Sequence, residues 1–238
     1  MIIIPARVAS SRFPNKVLAD INGLPMVIAT AKRVESIDDV AIATDAHEVL
    51  DIAQKYGFKA VLTSENHKSG TDRINEAAHI LGISDDEIVV NVQADEPFIE
   101  PEVVQSVYDR VVQAKNAQEG VMMVSCYKEI EPSFANDPNH VKVIMDHQGY
   151  AIYFSRSKIP YDREEYHNYF GHLGIYGFTK NSLENFCALK NAPLEDIEKL
   201  EQLRALYYGE KIAMVEVKSK SFGIDTKEDL LLALKMFV

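Results

Sequence analysis

The first residues able to do chemistry form a cationic loop near the N-terminus. Arg7, Arg12 and Lys16 lie within ten positions, with two serines between them, in a chain that is otherwise acidic. Cations and hydroxyls at this density suit a polyphosphate, although solvated surface loops also carry Lys and Arg. The sequence contains neither G-x-x-x-x-G-K-[ST] nor G-x-G-x-x-G, so side-chain cations would have to supply most of the charge for any phosphate.

A second set of candidates consists of carboxylates placed after predicted strands. One strand runs directly into Gln93, Asp95 and Glu96, and Asp225 stands in a polar stretch near the C-terminus. Carboxylates at the carboxyl edge of a sheet, facing a phosphate-binding loop, are typical ligands of Mg²⁺. The structural alternative is that Asp95 and Glu96 open the next helix, and that Asp225 belongs to the helix start at Thr226.

Other polar stretches allow two interpretations each. Ser69-Gly-Thr-Asp-Arg73 has the S-x-x-D spacing of a helix cap, and its hydroxyls and Arg could also contact a nucleotide base. His172 on its own is more often a structural histidine than a catalyst. Glu198, Glu201 and Gln202 have the spacing of one helical face, which a solvated helix explains equally well. No nucleophile signature is present, so the sequence does not indicate covalent catalysis.

Composition limits the classes of function. The 238 residues are 47% hydrophobic, enough for a large core, and the net charge of −11 argues against a nucleic-acid or anionic-membrane partner. Cys126 and Cys187 lie among apolar neighbours without C-x-x-C spacing, as in a reduced cytoplasmic protein with inert thiols. The apolar run at the N-terminus is too short for a signal peptide or a membrane span, so we expect a cytoplasmic protein without membrane insertion.

The elements that could position these residues alternate between predicted strands and predicted helices, as in α/β proteins. Short apolar runs predict strands at 1–4, 40–43, 60–62, 88–92 and 121–125, and helical segments between them span 26–34, 47–56, 71–81 and 102–114. Gly57 and Gly82 stand where helix C-caps belong. This half predicts a doubly wound, mostly parallel sheet.

After about residue 128 the regular alternation of strands and helices ends. Two apolar stretches, 141–145 and 150–154, flank Asp146-His-Gln-Gly149 and predict a β-hairpin. Further elements are predicted as strands at 173–178 and 212–217 and helices at 182–189, 194–207 and 228–237. Because no linker separates the halves, we expect a single domain over 1–238. Within this domain, about 1–128 and 210–238 would form the core, and about 129–209 an inserted substrate and dimerisation subregion.

Eight blocks together make the sequence similar to one known family. They are Ile3-Ile-Pro-Ala-Arg7 with Ser11-Arg-Phe-Pro-Asn-Lys16, Ser69-Gly-Thr-Asp-Arg73, Val90-Asn-Val-Gln-Ala-Asp-Glu-Pro97, Gly149-Tyr-Ala-Ile-Tyr-Phe-Ser-Arg156, Ile159-Pro-Tyr-Asp-Arg163, His172-Leu-Gly-Ile-Tyr-Gly177, the stretch from Pro193 to Arg204, and Gly223-Ile-Asp-Thr226. In this order and spacing the chain resembles the 3-deoxy-manno-octulosonate (Kdo) cytidylyltransferase family almost from end to end.

The resemblance implies an enzyme on a nucleotide-diphosphosugar-transferase-like α/β fold. It would transfer CMP from CTP to the anomeric hydroxyl of Kdo, giving CMP-Kdo and pyrophosphate for lipopolysaccharide biosynthesis, with Mg²⁺ as cofactor and usually as a homodimer. The resemblance makes about 1–128 and 210–238 the nucleotide-binding core and about 129–209 the sugar-binding and dimerisation subregion. The matching nucleotide-binding positions are Arg7, Ser11, Arg12, Lys16, Ser69 and Arg73. Asp95 and Asp225 match the metal ligands and, with Lys16, the catalytic residues. Sugar-binding positions are matched by Gln93, Arg156, His172, Tyr176, Glu201 and Gln202.

Three positions depart from the family pattern. Asn15 stands where a Gly is usual, Ala94 replaces another Gly, and Gly171 occupies a position that is commonly Arg. The loss of an Arg near the sugar site leaves 8-amino-Kdo or an N-acylneuraminate open as alternative acceptors. A hypothesis from a different class is a non-catalytic nucleotide-binding protein that kept the fold, against which the retention of Asp95, Asp225 and Lys16 argues.

Overall fold

The sheet is built outward from a buried strand at the start of the chain. The computed structural model describes residues 1–9, 12–164 and 168–237. Its strands are β1 (Ile2–Ala6), β2 (Asp20–Ile21), β3 (Leu24–Pro25), β4 (Val40–Thr44), β5 (Lys59–Leu62), β6 (Ile88–Asn91), β7 (Val121–Ile130), β8 (Lys142–Met145), β9 (Ala151–Ser155), β10 (Tyr169–Thr179) and β11 (Lys211–Glu216). Its α-helices are α1 (Met26–Val34), α2 (His47–Lys55), α3 (Gly70–Ile80), α4 (Pro101–Asn116), α5 (Lys180–Ala188), α6 (Pro193–Glu198), α7 (Leu203–Tyr207) and α8 (Lys227–Phe237).

The main sheet has the strand order β11-β7-β10-β6-β1-β4-β5. β6, β1, β4 and β5 run parallel to one another, as do β11 and β7, whereas β10 is antiparallel to both of its neighbours β6 and β7. The β8–β9 hairpin joins this sheet through β10. A mostly parallel α/β sheet is therefore confirmed, and its parallel strands place their carboxyl ends along one edge.

Apolar side chains cover both faces of the sheet, because parallel strands are buried on both sides. Ile2 and Ile4 of β1 pack with helices α1, α2 and α4, while Ile3 points to the other face, toward α3 and α5. The period of two along β1 thus supplies both layers of core. Helices on both faces confirm the doubly wound arrangement.

Most predicted elements are present within one or two residues at each end, and α1 has the predicted bounds. Gly57 and Gly82 adopt positive φ angles after α2 and α3, as expected at helix C-caps. The single helix predicted over 194–207 is wrong: α6 ends at Glu198, Lys199 takes a left-handed conformation with φ of 54°, and α7 begins at Leu203. Glu198, Glu201 and Gln202 therefore do not share one helical face.

Within the described residues, none of the helices is both long enough and apolar enough to cross a lipid bilayer. The division into a nucleotide-binding core and a sugar-binding subregion stays a prediction.

Candidate active site

The centre of the site is an ammonium group between two carboxylates. Lys16 Nζ lies 2.6 Å from Asp95 Oδ2 and 2.9 Å from Asp225 Oδ1. Burial by itself would lower the pKa of Lys16, but the charge of Asp95 and hydrogen bonds to both carboxylates outweigh it, so the pKa is raised. Burial would raise the pKa of Asp225, yet the contact with Lys16 leaves it lowered. Lys16 is therefore held as a cation and Asp225 as an anion.

Three separate segments deliver these groups to the carboxyl edge of the sheet. Lys16 begins a short 3₁₀ helix after β1, Asp95 follows β6, and Asp225 precedes α8. The backbone N–H of Ile224 donates to the carbonyl of Asp95 at 2.9 Å, which ties the last two segments together. Arg12 adds a second cation, with Nη2 at 2.9 Å from Asp225 Oδ2.

The departure at Asn15 has a structural explanation. Asn15 adopts a left-handed conformation, with φ of 57° and ψ of 28°, directly before the 3₁₀ helix that carries Lys16. Gly adopts this conformation most easily, and Asn is one of the few other residues that tolerates it. The exchange of Gly for Asn thus preserves the turn that aims Lys16 at the carboxylates.

A cavity of about 290 Å³ lies beside these groups. The predicted residues that line it are Arg7, Arg12, Lys16, Ser69, Arg73, Gln93, Asp95 and Asp225. Ser11, also predicted to contact the triphosphate, lies outside the described residues. The structure therefore brings together every described residue that was predicted for the nucleotide and the metal, and adds Gln93 from the sugar set.

The N-terminus of α3 forms one wall of the cavity. Ser69 caps the helix: its hydroxyl accepts from the Asp72 N–H at 3.1 Å and donates to Asp72 Oδ2 at 2.9 Å. A Cβ on Gly70 would come within 3.1 Å of the Pro5 side chain, so this helix end packs closely against the carboxyl end of β1. Arg73 is buried and donates to Thr63 Oγ1 at 2.6 Å and Asp45 Oδ2 at 2.8 Å.

Two ionisable residues that line the cavity, His67 and Lys68, were not predicted from the sequence. Exposed Lys68 and partly buried His67 precede Ser69 and line the same cavity. His67 contacts Glu76 of α3 through Nε2, and Glu76 also accepts from the Ser64 N–H at 2.9 Å. The basic pair directly before the S-G-T-D-R block is the sequence signal that could have identified them.

The sugar-side residues form two connected groups. Tyr176 donates its hydroxyl to Gln202 Oε1 at 3.0 Å, and the Gln202 amide nitrogen lies 3.4 Å from His172 Nδ1. The other nitrogen of His172 lies 2.8 Å from the hydroxyl of Ser125. Burial lowers the pKa of His172 to about 3, so the ring is neutral at pH 7.

The second group leads from the cavity to Glu201. Gln93 contacts Asn91 at 3.4 Å, Asn91 donates to Thr71 Oγ1 at 3.3 Å, and Thr71 donates to Glu201 Oε1 at 2.9 Å. Burial raises the pKa of Glu201, whose Oε2 is buried and lacks a partner among the described residues. A buried acceptor without a donor is costly, so a hydroxyl of a bound molecule would be favoured there.

Arg156 has different surroundings from the other predicted sugar-side residues. Its Nε donates to the Glu198 carbonyl at 2.7 Å and its Nη1 to the Pro138 carbonyl at 3.0 Å. No contact among the described residues links it to His172 or Gln202. Two of the five N–H donors of a guanidinium are used in this way, and the others remain able to hold a carboxylate.

The donor set at the centre suits a hard divalent cation. Asp95 and Asp225 supply carboxylate oxygens, and a cation, the Lys16 ammonium, already lies between them. No cluster of three or more His, Cys, Asp or Glu side chains suited to a metal occurs among residues 1–9, 12–164 and 168–237. Two carboxylates completed by substrate phosphates and water are a typical environment for Mg²⁺.

Known proteins show similarity over nearly the whole chain. Residues 1–212 match a protein family described as cytidylyltransferase. The 3-deoxy-manno-octulosonate cytidylyltransferase of a Nitratiruptor species is 59% identical over 230 residues, covering 97% of this chain and 96% of the relative. The protein of the same name from Wolinella succinogenes is 50% identical over 241 residues, covering 100% and 99%.

One solved structure is similar in fold as well as sequence. CMP:2-keto-3-deoxy-manno-octonic acid synthetase complexed with CTP superposes with a TM-score of 0.89 at 36% identity, covering 99% of this chain and 96% of that one.

Proposed function

This chain belongs to the 3-deoxy-manno-octulosonate cytidylyltransferase family, and from that premise we propose that it transfers CMP from CTP to the anomeric hydroxyl of Kdo, giving CMP-Kdo and pyrophosphate. The observation that carries the proposal is the convergence of Lys16, Asp95 and Asp225 at the edge of a cavity that also contains Arg7 and Arg12. This arrangement fits a triphosphate and the cation that accompanies it.

The reaction is an in-line displacement at phosphorus. The anomeric oxygen forms a bond to the α-phosphorus, the bond to the β-phosphate oxygen breaks, and the hydroxyl proton is lost. Arg7, Arg12 and Lys16 would bind and orient the triphosphate and neutralise charge that develops on the leaving pyrophosphate. Asp95 and Asp225 would hold Mg²⁺, which when bound supplies further charge neutralisation and helps to deprotonate the hydroxyl.

The sugar would be held mainly by uncharged groups. Neutral His172, Tyr176 and Gln202 offer hydrogen bonds to hydroxyls, and the unpartnered Oε2 of Glu201 offers an acceptor. Gln93 would contact the sugar from the nucleotide side. Arg156 is the cation proposed for the sugar carboxylate. A site built from directed hydrogen bonds discriminates against sugars that cannot return them.

A pyrophosphate-release assay tests the proposal directly. Purified protein is supplied with CTP, Mg²⁺ and one of three sugars: Kdo, 8-amino-Kdo or N-acetylneuraminate. We expect release with Kdo, and near-complete loss of release in Asp95→Asn, which keeps the side-chain size but removes a metal-ligand charge. A clear preference for 8-amino-Kdo would keep the proposed reaction and change the proposed acceptor sugar. A preference for N-acetylneuraminate would reject Kdo as the acceptor. CTP binding without release on any sugar would favour the non-catalytic alternative.

We further propose a homodimer that acts in the cytoplasm, where CMP-Kdo would enter lipopolysaccharide biosynthesis. The two cysteines, one buried and one partly buried, are both free, as is usual in a reducing compartment. Exposed apolar side chains in the subregion 129–209 support an interface there.

A further inference from the structure

The segment that brings Asp225 to the site has no regular secondary structure. It runs from Val217, after β11, to Asp225, before α8. A coil of this kind has no ladder of hydrogen bonds to fix it, so its position depends on individual contacts. Main-chain bonds anchor it at both ends, from Val217 N to the Tyr127 carbonyl and from Ile224 N to the Asp95 carbonyl, each at 2.9 Å.

The middle of this segment is held by Lys128. Lys128 lies on β7, and its Nζ donates to the carbonyl oxygens of Ser219 and Ser221, each at 3.1 Å. An ammonium group that bridges two carbonyls makes charge-assisted hydrogen bonds, which are stronger than neutral ones. The contact fixes two alternate residues of the coil relative to the sheet.

Two acidic residues hold the same segment from the β6–α4 connection. Glu100 accepts from the Ser219 hydroxyl at 2.6 Å and from the Lys220 N–H at 2.8 Å, and Glu96 accepts from the Ser221 hydroxyl at 3.3 Å. Lys128 also lies close enough to both acids to interact with them electrostatically, and its charge offsets that of Glu100. The segment is thus held between one cation and two acids, and among the described side chains Lys128 is the only cation that hydrogen-bonds to residues 217–224, before Asp225.

We propose that Lys128 is a positioning residue, which holds the 217–224 segment so that Asp225 stands opposite Asp95 and Lys16. The inference rests on the proposed function, because it assigns Asp225 to the metal site. Lys128 acts only through the backbone of Ser219 and Ser221. Small displacements of a reacting or metal-binding group can cost large factors in rate, so a looser segment would lower turnover more than substrate affinity.

The test compares Lys128→Met, Lys128→Arg and Lys115→Met. Met keeps the length of Lys128 but cannot donate, and Arg keeps the charge and can donate to two carbonyls. Lys115 on α4 provides a matched control, since its Nζ also donates to a main-chain carbonyl, that of Asp86 at 2.6 Å. We expect Lys128→Met to lower kcat roughly tenfold with both KM values within about twofold. Lys128→Arg should recover most of kcat, and Lys115→Met should keep it.

A second readout is independent of turnover. Mn²⁺ binding to each variant is measured by electron paramagnetic resonance in the presence of CTP and without sugar. Weaker Mn²⁺ binding by Lys128→Met, restored in Lys128→Arg, is the expected result. If Lys128→Met does not fold, Lys128→Gln, which keeps one donor group, takes its place.

Wild-type kcat and Mn²⁺ binding in Lys128→Met, or equal loss in the Met and Arg variants, would overturn the proposal. Asp225→Asn distinguishes failure of the positioning role of Lys128 from failure of the proposed function. If this variant is inactive while Lys128→Met is normal, the proposed function stands and the role of Lys128 is wrong. If Asp225→Asn keeps full turnover, the metal assignment fails, and the positioning role fails with it.

Discussion

The single positive charge of Lys16 interacts with two different sets of anions, the carboxylates of the site and the proposed triphosphate. In the structure its ammonium neutralises Asp95 and Asp225, and in the proposed complex it would contact the triphosphate. Its side chain is 12% exposed, against 26% for Asp95 and 47% for Asp225, so solvent screens the contact with Asp225 more than the contact with Asp95. Binding of CTP therefore has to exchange one set of anionic partners for another.

We expect Lys16→Ala to weaken CTP binding about tenfold or more, which corresponds to the loss of one charge-assisted contact. The melting temperature should change little, because the two carboxylates are partly exposed and can rehydrate. Isothermal titration calorimetry with CTP measures the effect. Lys59→Ala, which removes an exposed lysine paired with Asp39, is the control and should bind CTP normally. Unchanged CTP affinity in Lys16→Ala would show that the loop of Arg7, Arg12 and Lys16 is an ordinary solvated surface loop.

His172 gives the stability of the protein a specific pH dependence. Its pKa is about 3 in the folded protein because of burial, against about 6.5 in an unfolded chain. Between these values the unfolded chain binds a proton that the folded chain does not, so lowering the pH through this window lowers the free energy of unfolding. Above pH 6.5 the contribution of His172 to the free energy of unfolding does not change with pH.

We expect His172→Gln to lose this part of the pH dependence. The stability difference between wild type and variant should shrink as the pH falls from 6.5 toward 4, by at most about 1.4 kcal/mol per pH unit. Urea denaturation at several pH values measures it. His147, exposed in the β8–β9 turn, is a suitable control, and His147→Gln should follow the wild-type profile. Parallel profiles for wild type and His172→Gln would contradict the expectation.

Strand β10 shows why an Arg is absent at position 171. Gly171 is buried between Lys128 of β7 and Lys142 of β8, and a Cβ there would lie 2.7 Å from Ile130 Cγ2. That distance is shorter than non-bonded carbon atoms permit. The clash with Ile130 therefore gives the missing Arg a packing explanation, and the choice of sugar stays a question for the pyrophosphate-release assay.

Gly171→Ala is expected to destabilise the protein by about 1–3 kcal/mol through overpacking. Ile130→Ala alone should also destabilise it by leaving a cavity. The double variant should be more stable than the sum of the two single effects, because removing the Ile130 side chain makes room for the new methyl group. Chemical denaturation of the four proteins measures the coupling. Additive effects would show that residue 171 accommodates a side chain without contacting Ile130.

At the level of elements, local pattern predicted most of the fold. Helix α1 could be predicted to the residue because its apolar stripe is bounded by clear strand and turn signals. The break at Lys199 could not, since left-handed Lys is unusual and is maintained here by contacts remote in sequence, such as Thr71 with Glu201. Ligands of a parallel sheet bind at the carboxyl ends of its strands, and this rule predicted that Lys16, Asp95 and Asp225 would lie close together. It could not predict Lys128, because a lysine inside a strand gives no signal of the coil that it will contact.

On the scale of the whole molecule, exposed apolar side chains concentrate in one part of the chain. Of the eleven large hydrophobic side chains exposed in the described residues, six lie in the subregion 129–209. They are Phe134, Ile152, Tyr161, Ile197, Tyr207 and Tyr208. Such residues are enriched at protein interfaces, and a second copy of the chain would cover them.

We expect sedimentation equilibrium to give about twice the monomer mass of 26.7 kDa. Ile197 is 76% exposed, and Ile197→Glu should shift the protein toward monomer while leaving its melting transition cooperative. Leu231→Glu, at a 69% exposed position on α8 outside the subregion, is the matched control and should remain dimeric. A monomer at high micromolar concentration would contradict the expectation.

The site is assembled from segments that lie far apart in the sequence. Arg12 and Asp225 are 213 positions apart, and Lys16 and Asp225 are 209 apart. During translation the cationic loop is made before Asp225, which emerges only after the eleven strands of the described residues have been made. An unfinished chain can bury β1, β4 and β6 but lacks the second carboxylate, so we expect it to be inert toward its substrates. Catalytic competence therefore requires synthesis to pass Asp225, and chains that terminate before this residue should not consume CTP.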